Sequence, residues 1–264
     1  MTGLYQRIFD CLMTPAVEAK LSGVDALWQD YNAGTLQDDA IECPAAPVAD
    51  PGRPDKPPLV PPQELNKRKL GHAEGRAAML HAIAHIEFTA INLALDAAWR
   101  FRGLPGDYTR GWLQVAWEEV QHFALVRQQL RHKGYDYGDF PAHAGLWDLA
   151  RKSEHDVLTR MALLPRLMEA RGLDVTPAIM AKFRAINDAG ALAVLERILR
   201  DEVGHVALGD RWFRRICAER GLEAEATFRR LLAEHGLPLP RGPFNREARL
   251  KAGFSAEEIA SFGV

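Results

Sequence analysis

Six side chains of types that bind metals recur at helical spacing: Glu87, Glu119, His122, Glu169, Glu202 and His205. Four of them form two Glu-x-x-His motifs, in which residues i and i+3 face the same side of a helix and can bind one site. Each motif follows a further glutamate, by 32 positions in the first case and 33 in the second. The pattern predicts two helical hairpins that each supply two carboxylates and one imidazole.

The six residues lie on the apolar stripes of their predicted helices, counted at about 100° per residue. Glu119, for example, shares its stripe with Val115, Ala116 and Phe123. Four isolated buried carboxylates would each cost several kcal/mol, whereas two divalent cations would neutralise all four. We therefore predict two metal ions per chain, with iron first and manganese as the alternative for such an oxygen and nitrogen ligand set. The competing interpretation is that the glutamates are solvated surface residues. Any one of them, considered without the others, would be interpreted in this way.

Two further acidic residues directly precede ligand glutamates, about 100° around the helix from them. Metal-bound histidines usually donate their second N–H group to a carboxylate. We expect Asp201 to orient His122 and Glu118 to orient His205. The alternative is that both are exposed charges. No catalytic residue other than the metal ligands is assigned.

Helical periodicity dominates the chain, and clear strand alternation is absent. It predicts four long helices and several shorter ones in residues 1–31, residues 223–235 and the segment SAEEIASF, where Ser255 and Glu258 have the spacing of a capping box. The four long helices are predicted over residues 74–102, 109–133, 154–171 with a continuation over 178–186 after an interruption at GLDVTP, and 190–219. The predicted fold class is all-α, a ferritin-like four-helix bundle with an N-terminal arm and a C-terminal helical extension.

The predicted organisation has three parts: N-terminal helices and a proline-rich arm (1–66), the di-metal bundle (67–220) and a C-terminal extension (221–264). Residues 43–62 contain eight prolines and must be extended or irregular. The sequence leaves open whether this arm is a flexible linker or is wrapped on the core.

Composition excludes several classes of protein. A net charge of −2 over 264 residues argues against a general nucleic-acid binder. Three scattered cysteines predict neither a disulfide framework nor a zinc knuckle. The first residues do not show the pattern expected of a secretory signal, and no apolar run approaches the ~18 residues that span a bilayer. We expect a soluble cytoplasmic protein that does not associate with membranes.

The motifs HAIAHIEFTAINLALDAAWRF, WEEVQHF, MEARGLDVTP and DEVGHV resemble those of a ferritin-like family catalogued as domain of unknown function 455. The likeness covers roughly residues 65–218, with further matches at GPFN (242–245) and AGF (252–254). This resemblance implies a di-metal helical bundle and says little about the substrate.

The sequence differs from those of better-known ferritin-like proteins, and the differences help to choose among their functions. Ferritins carry one Glu-x-x-His motif, rubrerythrins add a four-cysteine iron site, and the ribonucleotide reductase small subunit has a tyrosine where this chain has Val126. By analogy of fold alone, we expect an O2-activating oxidase or hydroxylase of an unknown small-molecule or tRNA-like substrate. An electron-donor protein and a homodimer are compatible with this expectation. The alternatives are a non-catalytic metal-binding scaffold and a protein of iron or peroxide detoxification.

Overall fold

The computed structural model describes residues 3–65 and 70–262, and this part of the chain is helical without a β-strand. It divides into two compact units, Met1–Arg151 and Lys152–Val264. The helices of the first unit are α1 (Leu4–Met13), α2 (Val17–Asn32), α3 (Ala73–Arg100), α4 (Gly106–Arg131) and α5 (Gly145–Lys152), with a 3-10 turn at Pro62–Glu64. Short α5 was not predicted from the sequence.

The centre of the first unit is the hairpin of α3 and α4, with α1 packed on α3 and α2 packed on α4. α3 is rich in Ala, Leu and Ile and buries side chains around most of its circumference. Both helices end where the sequence predicts breakers. Gly103 (φ 78°) follows α3, and Gly134 (φ 82°) follows α4 and donates its N–H to the Arg131 carbonyl.

The proline-rich arm is wrapped on the first unit, which decides the question that the sequence left open. Its backbone is tied at three places: Gly52 N–H donates to the Leu12 carbonyl, and Val60 and Ala142 N–H donate to the carbonyls of Ala142 and Pro58. The indole of Trp147 donates to the Ala49 carbonyl at 3.0 Å. These bonds satisfy backbone groups that the prolines leave without regular partners.

The second unit contains α6 (Val157–Leu163), a π-helical segment (Leu164–Glu169), α7 (Ala170–Ala185) and the long α8 (Ala189–Glu219), followed by α9 (Ala224–Glu234), α10 (Arg246–Lys251) and α11 (Ala256–Ser261). The interruption predicted at GLDVTP is wrong, because α7 continues through it and past Pro177. The irregularity lies upstream, in the π-helical segment around Pro165. A glycine or a missing hydrogen bond costs only a few kcal/mol, which the packing of a long helix can exceed.

Close packing of α8 accompanies the π-helical segment. A Cβ atom built on Gly209 would lie 2.2 Å from Cβ of Pro165, so only glycine fits at this position. The contact brings the backbone of α8 directly against the ring of the proline, whose missing N–H already breaks the regular α-helical ladder.

Buried ion pairs hold the C-terminal helices on the second unit. Arg166 is fully buried, donates to Asp210 at 2.7 Å and also pairs with Glu258 of α11. Glu258 N–H donates to Ser255 Oγ at 2.9 Å, which confirms the predicted cap at the start of α11. In a capping box the Glu258 carboxylate would also accept the Ser255 N–H. Here that carboxylate pairs with Arg166 instead, so the cap is not reciprocal.

The short motifs GPFN and AGF of the C-terminal region contain or adjoin residues with structural roles. Asn245 caps α10 and donates its side-chain N–H to the Leu173 carbonyl. Arg249 is buried, pairs with Asp174 at 2.6 Å and lies 4.9 Å from the ring centroid of Phe254. These contacts hold the extension on α7.

One helix among those described, α3, is long and apolar enough to span a membrane, but 67% of its apolar window is buried. Most side chains of this window therefore pack inside the first unit. The predicted domain boundary at 66/67 lies outside the described residues, and the three-part division stays a prediction. Each compact unit contains one predicted hairpin together with its own terminal segments.

Candidate metal centre

The hairpin of the first unit brings Glu87 of α3 together with Glu119 and His122 of α4. Nδ1 of His122 lies 3.4 Å from Oε2 of Glu87 and 3.3 Å from Oε2 of Glu119. One ligand atom from each of the three lies within 4.8 Å of the others. Their relative exposures are 4%, 1% and 0%, so the cluster is buried, as its place on the apolar stripes predicts.

The helix pair positions this cluster by two local rules. The i, i+3 spacing puts the carboxylate and imidazole of α4 on one face, and antiparallel packing turns the Glu87 stripe of α3 toward it. Phe88 follows Glu87 on α3 and Phe123 follows His122 on α4, and these two rings pack against each other with centroids 5.4 Å apart. This aromatic pair fixes the register of the two helices beside the site.

The electrostatics of the cluster favour a cation. Burial lowers the pKa of His122, but hydrogen bonds and charge from Glu119 and Glu87 act in the opposite direction and raise that pKa to about 11. Two carboxylates and one imidazole in a buried place thus create a strongly negative environment. Carboxylate oxygens and an imidazole nitrogen are ligands for divalent metals, and this buried cluster could hold a metal ion.

The second unit contains the other Glu-x-x-His motif, on α8. Nδ1 of His205 lies 3.7 Å from Oε1 of Glu202. The imidazole is buried, and the glutamate side chain is 15% exposed. The same i, i+3 geometry as in α4 therefore presents one carboxylate and one imidazole on a single face.

Glu169, the sixth predicted ligand, is half-buried and is the last residue of the π-helical segment. A π-helical turn inserts an extra residue into a helix and rotates the side chains that follow it. Such turns are rare and often occur at functional sites. The direction in which Glu169 leaves the helix is therefore set by the π-helical segment. Counting residues at 100° each assumes a regular α-helix and does not include such a segment.

The chain matches the model of a known protein family. A family model described as "Protein of unknown function (DUF455)" matches residues 13–260. The chain belongs to this family. The match extends well beyond the four long helices and includes α2, the proline-rich arm and the C-terminal extension. The resemblance predicted from the motifs is confirmed at the level of the DUF455 family.

A relative within the curated proteins is an "Uncharacterized protein" from Haemophilus influenzae, 48% identical over 215 residues, which are 78% of this chain and 74% of the relative. No solved structure matches the chain. Membership of the DUF455 family therefore assigns neither an activity nor a metal, and the function rests on the site itself.

The two residues predicted to orient the histidines have identified neighbours on their own helices. Asp201 accepts a hydrogen bond from Arg197 and lies 3.5 Å from the Nε atom of Arg200. Glu118 accepts from Gln114 at 2.9 Å. The expected bonds from Asp201 to His122 and from Glu118 to His205 stay predictions.

A buried cation that sequence analysis missed lies in the first unit. The ammonium group of Lys20 donates to the carbonyls of Cys11 and Leu12 at 2.9 and 2.8 Å and to Oδ1 of Asn92 at 2.6 Å. Burial lowers its pKa to about 7. Lysine is almost never buried unless it is paired, so the sequence alone gives no reason to expect its burial here. The contact with Asn92 that accompanies this burial joins residues 72 positions apart and is visible only in the structure.

Proposed function

We propose that this chain is a ferritin-like di-metal carboxylate oxidoreductase that uses O2 to oxidise an organic substrate. In this proposal the six predicted residues Glu87, Glu119, His122, Glu169, Glu202 and His205 bind two iron ions, with manganese as the alternative metal. The buried cluster of Glu87, Glu119 and His122 carries the proposal, since its donors, charge and burial fit a divalent cation.

The internal repeat supports two metals rather than one. The second unit repeats the order glutamate, then Glu-x-x-His, that the first unit presents. Four carboxylates balance the charge of two divalent cations, and one imidazole per metal completes equal ligand sets. A single divalent ion would leave about two negative charges uncompensated in an apolar environment.

The chain's own residues have three tasks in this function. The carboxylates and imidazoles hold the metals, which, when bound, supply the electrons for the reduction of O2. Fully buried Ala84, Ala116 and Phe123 keep water away from the reacting atoms in the first unit. Six side-chain ligands do not fill the coordination positions of two metals, so room remains for O2 or substrate.

The proposed partners follow from this chemistry. They are O2, an unidentified small-molecule or tRNA-like substrate and an electron-donor protein that reduces the metals between turnovers. We place the protein in the cytoplasm and propose a homodimer as its assembly. No residue beyond the metal ligands is assigned a catalytic role.

Rapid mixing of the anaerobically reduced, iron-loaded protein with O2 tests the proposal. We expect iron oxidation within one turnover through a transient absorbing species, without growth of a mineral core. The variant Glu119→Gln should lose this reaction, whereas Glu196→Gln, an exposed residue of α8, should keep it. Iron that stays reduced in air would indicate a scaffold, and steady mineral growth would indicate storage; either result would overturn the oxidoreductase function.

A further inference from the structure

The two halves of the proposed metal centre differ in how closely their ligands converge. Glu87, Glu119 and His122, called here the first-unit triad, face one point. Nδ1 of His122 lies 3.4 Å from Oε2 of Glu87 and 3.3 Å from Oε2 of Glu119. Ligands held near the geometry that a metal requires bind it without movement of their helices.

The second-unit ligands, which are Glu169, Glu202 and His205, converge less closely. Nδ1 of His205 lies 3.7 Å from Oε1 of Glu202. Among the described residues, one group of potential metal-binding atoms lies within 4.8 Å of one another. The whole first-unit triad belongs to this group, whereas neither Glu169 nor His205 does. The second-unit ligands must therefore come closer together to bind a metal, which the first-unit triad need not do.

Burial of the carboxylates also differs between the two halves. The side chains of Glu87 and Glu119 are 5% and 1% exposed. The side chain of Glu202 is 15% exposed, and Glu169 is half-buried. Even with a proton on His122, two carboxylates facing one imidazolium leave the first-unit triad with an excess negative charge. Because a buried charge without compensation is more costly than one that water reaches, a cation gains more free energy in the first unit.

The backbone that carries the two sets of ligands differs as well. The first-unit triad lies inside the regular helices α3 and α4, and the rings of Phe88 and Phe123 pack together beside it. Glu169 is the last residue of the π-helical segment, where the hydrogen-bond pattern of an α-helix is interrupted. Ordering a side chain on such an irregular segment costs free energy, which reduces the affinity of the second-unit ligands for a metal.

We propose that the two metal positions are inequivalent. The first-unit triad is the high-affinity position and fills first, and the second-unit ligands form a weaker position that fills at higher metal concentration. This inference rests on the proposed di-metal function and adds an order of filling to it. At a low concentration of free metal the chain holds one ion, in the first unit. Because the proposed oxidation needs both metals, the supply of metal to the second position controls the activity.

Titration of the metal-free, full-length protein with Mn2+ tests the proposal. Calorimetry measures the binding steps, and electron paramagnetic resonance counts the free Mn2+ ions at each point. Mn2+ is the probe because its binding can be measured without a reaction with O2. We expect two steps of one ion each, with dissociation constants that differ at least about tenfold.

Glutamine variants assign each binding step to one half of the centre. Glu87→Gln removes a charge from the first-unit triad and should abolish the tight step, while one ion still binds weakly. Glu169→Gln should abolish the weak step and leave the tight step unchanged. The matched controls are Glu74→Gln on α3 and Glu196→Gln on α8. Both control residues are exposed, and both variants should show the two steps of the parent.

The binding curve of the parent tests the inference even if a variant fails to fold. Two steps of equal affinity would overturn it, and so would loss of the tight step in a folded Glu169→Gln variant. Two unequal steps in a protein whose iron stays reduced in O2 would support the order of filling and overturn the oxidoreductase function. Two equal steps together with rapid oxidation of iron would do the reverse. Binding of a single ion by the parent would overturn both.

Discussion

Glu87 of α3 and His122 of α4 meet across a helix pair, with 3.4 Å between Oε2 and Nδ1, although 35 positions separate them in the chain. Both are buried among apolar side chains, and Glu119 contacts the same imidazole nitrogen. Two buried carboxylates that face one imidazole nitrogen hold a proton on that nitrogen, and a metal ion could bind the three groups in place of that proton. It is the structural basis for the predictions on metal binding.

Metal binding should stabilise the protein by an amount that rises with the logarithm of the free metal concentration above Kd. Anaerobic Fe2+ or Mn2+ at about 1,000 times Kd should add about 4 kcal/mol to the free energy of unfolding, because the unfolded chain has no preformed site. Elemental analysis should give two metals per chain. Differential scanning calorimetry with and without a chelator measures the effect, and Glu119→Gln should abolish it. A stoichiometry of one metal in the reconstituted parent would contradict the di-metal site.

Asp201→Ala should weaken metal binding by about 10–100-fold, which is the usual effect of removing a carboxylate that orients a metal-bound histidine. Val126→Ala is the matched control, since Val126 is fully buried on α4 and only packs. That variant should lose about 1–2 kcal/mol of stability without a change in metal affinity. Metal titration monitors both. Parental affinity in Asp201→Ala would show that Asp201 serves only its ion pairs with Arg197 and Arg200.

Arg166→Met should destabilise the second unit by about 1.5–3 kcal/mol, because Asp210 and Glu258 lose their fully buried cation and keep only the partly exposed Arg214. Arg215→Gln in α8 removes an exposed pair with Glu219 and a contact with the Trp212 ring, and it should change stability by less than about 1 kcal/mol. Urea denaturation compares the two. Equal effects would mean that the buried cluster contributes no more than an exposed ion pair.

The protein should lose stability as the pH falls from about 6.5 to about 4, in part through His81. Burial, with a smaller effect of His85, lowers the pKa of His81 from 6.5 to about 4. Its Nε2 atom accepts the Gly138 N–H, which requires the neutral ring. Within this pH window the unfolded chain binds a proton that the folded chain does not, so acidification favours unfolding by at most about 3 kcal/mol.

His81→Gln tests this pH dependence, since an amide oxygen can accept the same N–H bond without titrating. The variant should show a shallower loss of stability between pH 6.5 and 4 than the parent. His132→Gln removes an exposed histidine and should leave the slope unchanged. Parallel pH profiles of the parent and His81→Gln would contradict the assignment.

The sequence by itself determined most of the helices and the candidate ligands of the first hairpin. Three of the four long helices (α3, α4 and α8) begin and end within a few residues of the predicted bounds because helical periodicity, glycine breakers and caps act over short stretches of chain. Glu87, Glu119 and His122 could be predicted together because each lies on an apolar stripe, and an ionisable group on such a stripe needs a partner. These are local properties, readable at about 100° per residue.

Only the tertiary structure decided the rest. The π-helical segment before Glu169 arises where Pro165 packs on Gly209, 44 positions away, and no periodic pattern reports such a contact. Burial of Arg166 depends on partners 44 and 92 positions away. The proline-rich arm packs on the first unit through bonds such as that of Gly52 N–H to the Leu12 carbonyl, and prolines show only that a segment is not helical, not where it docks. Long-range packing, rather than local propensity, determines these features.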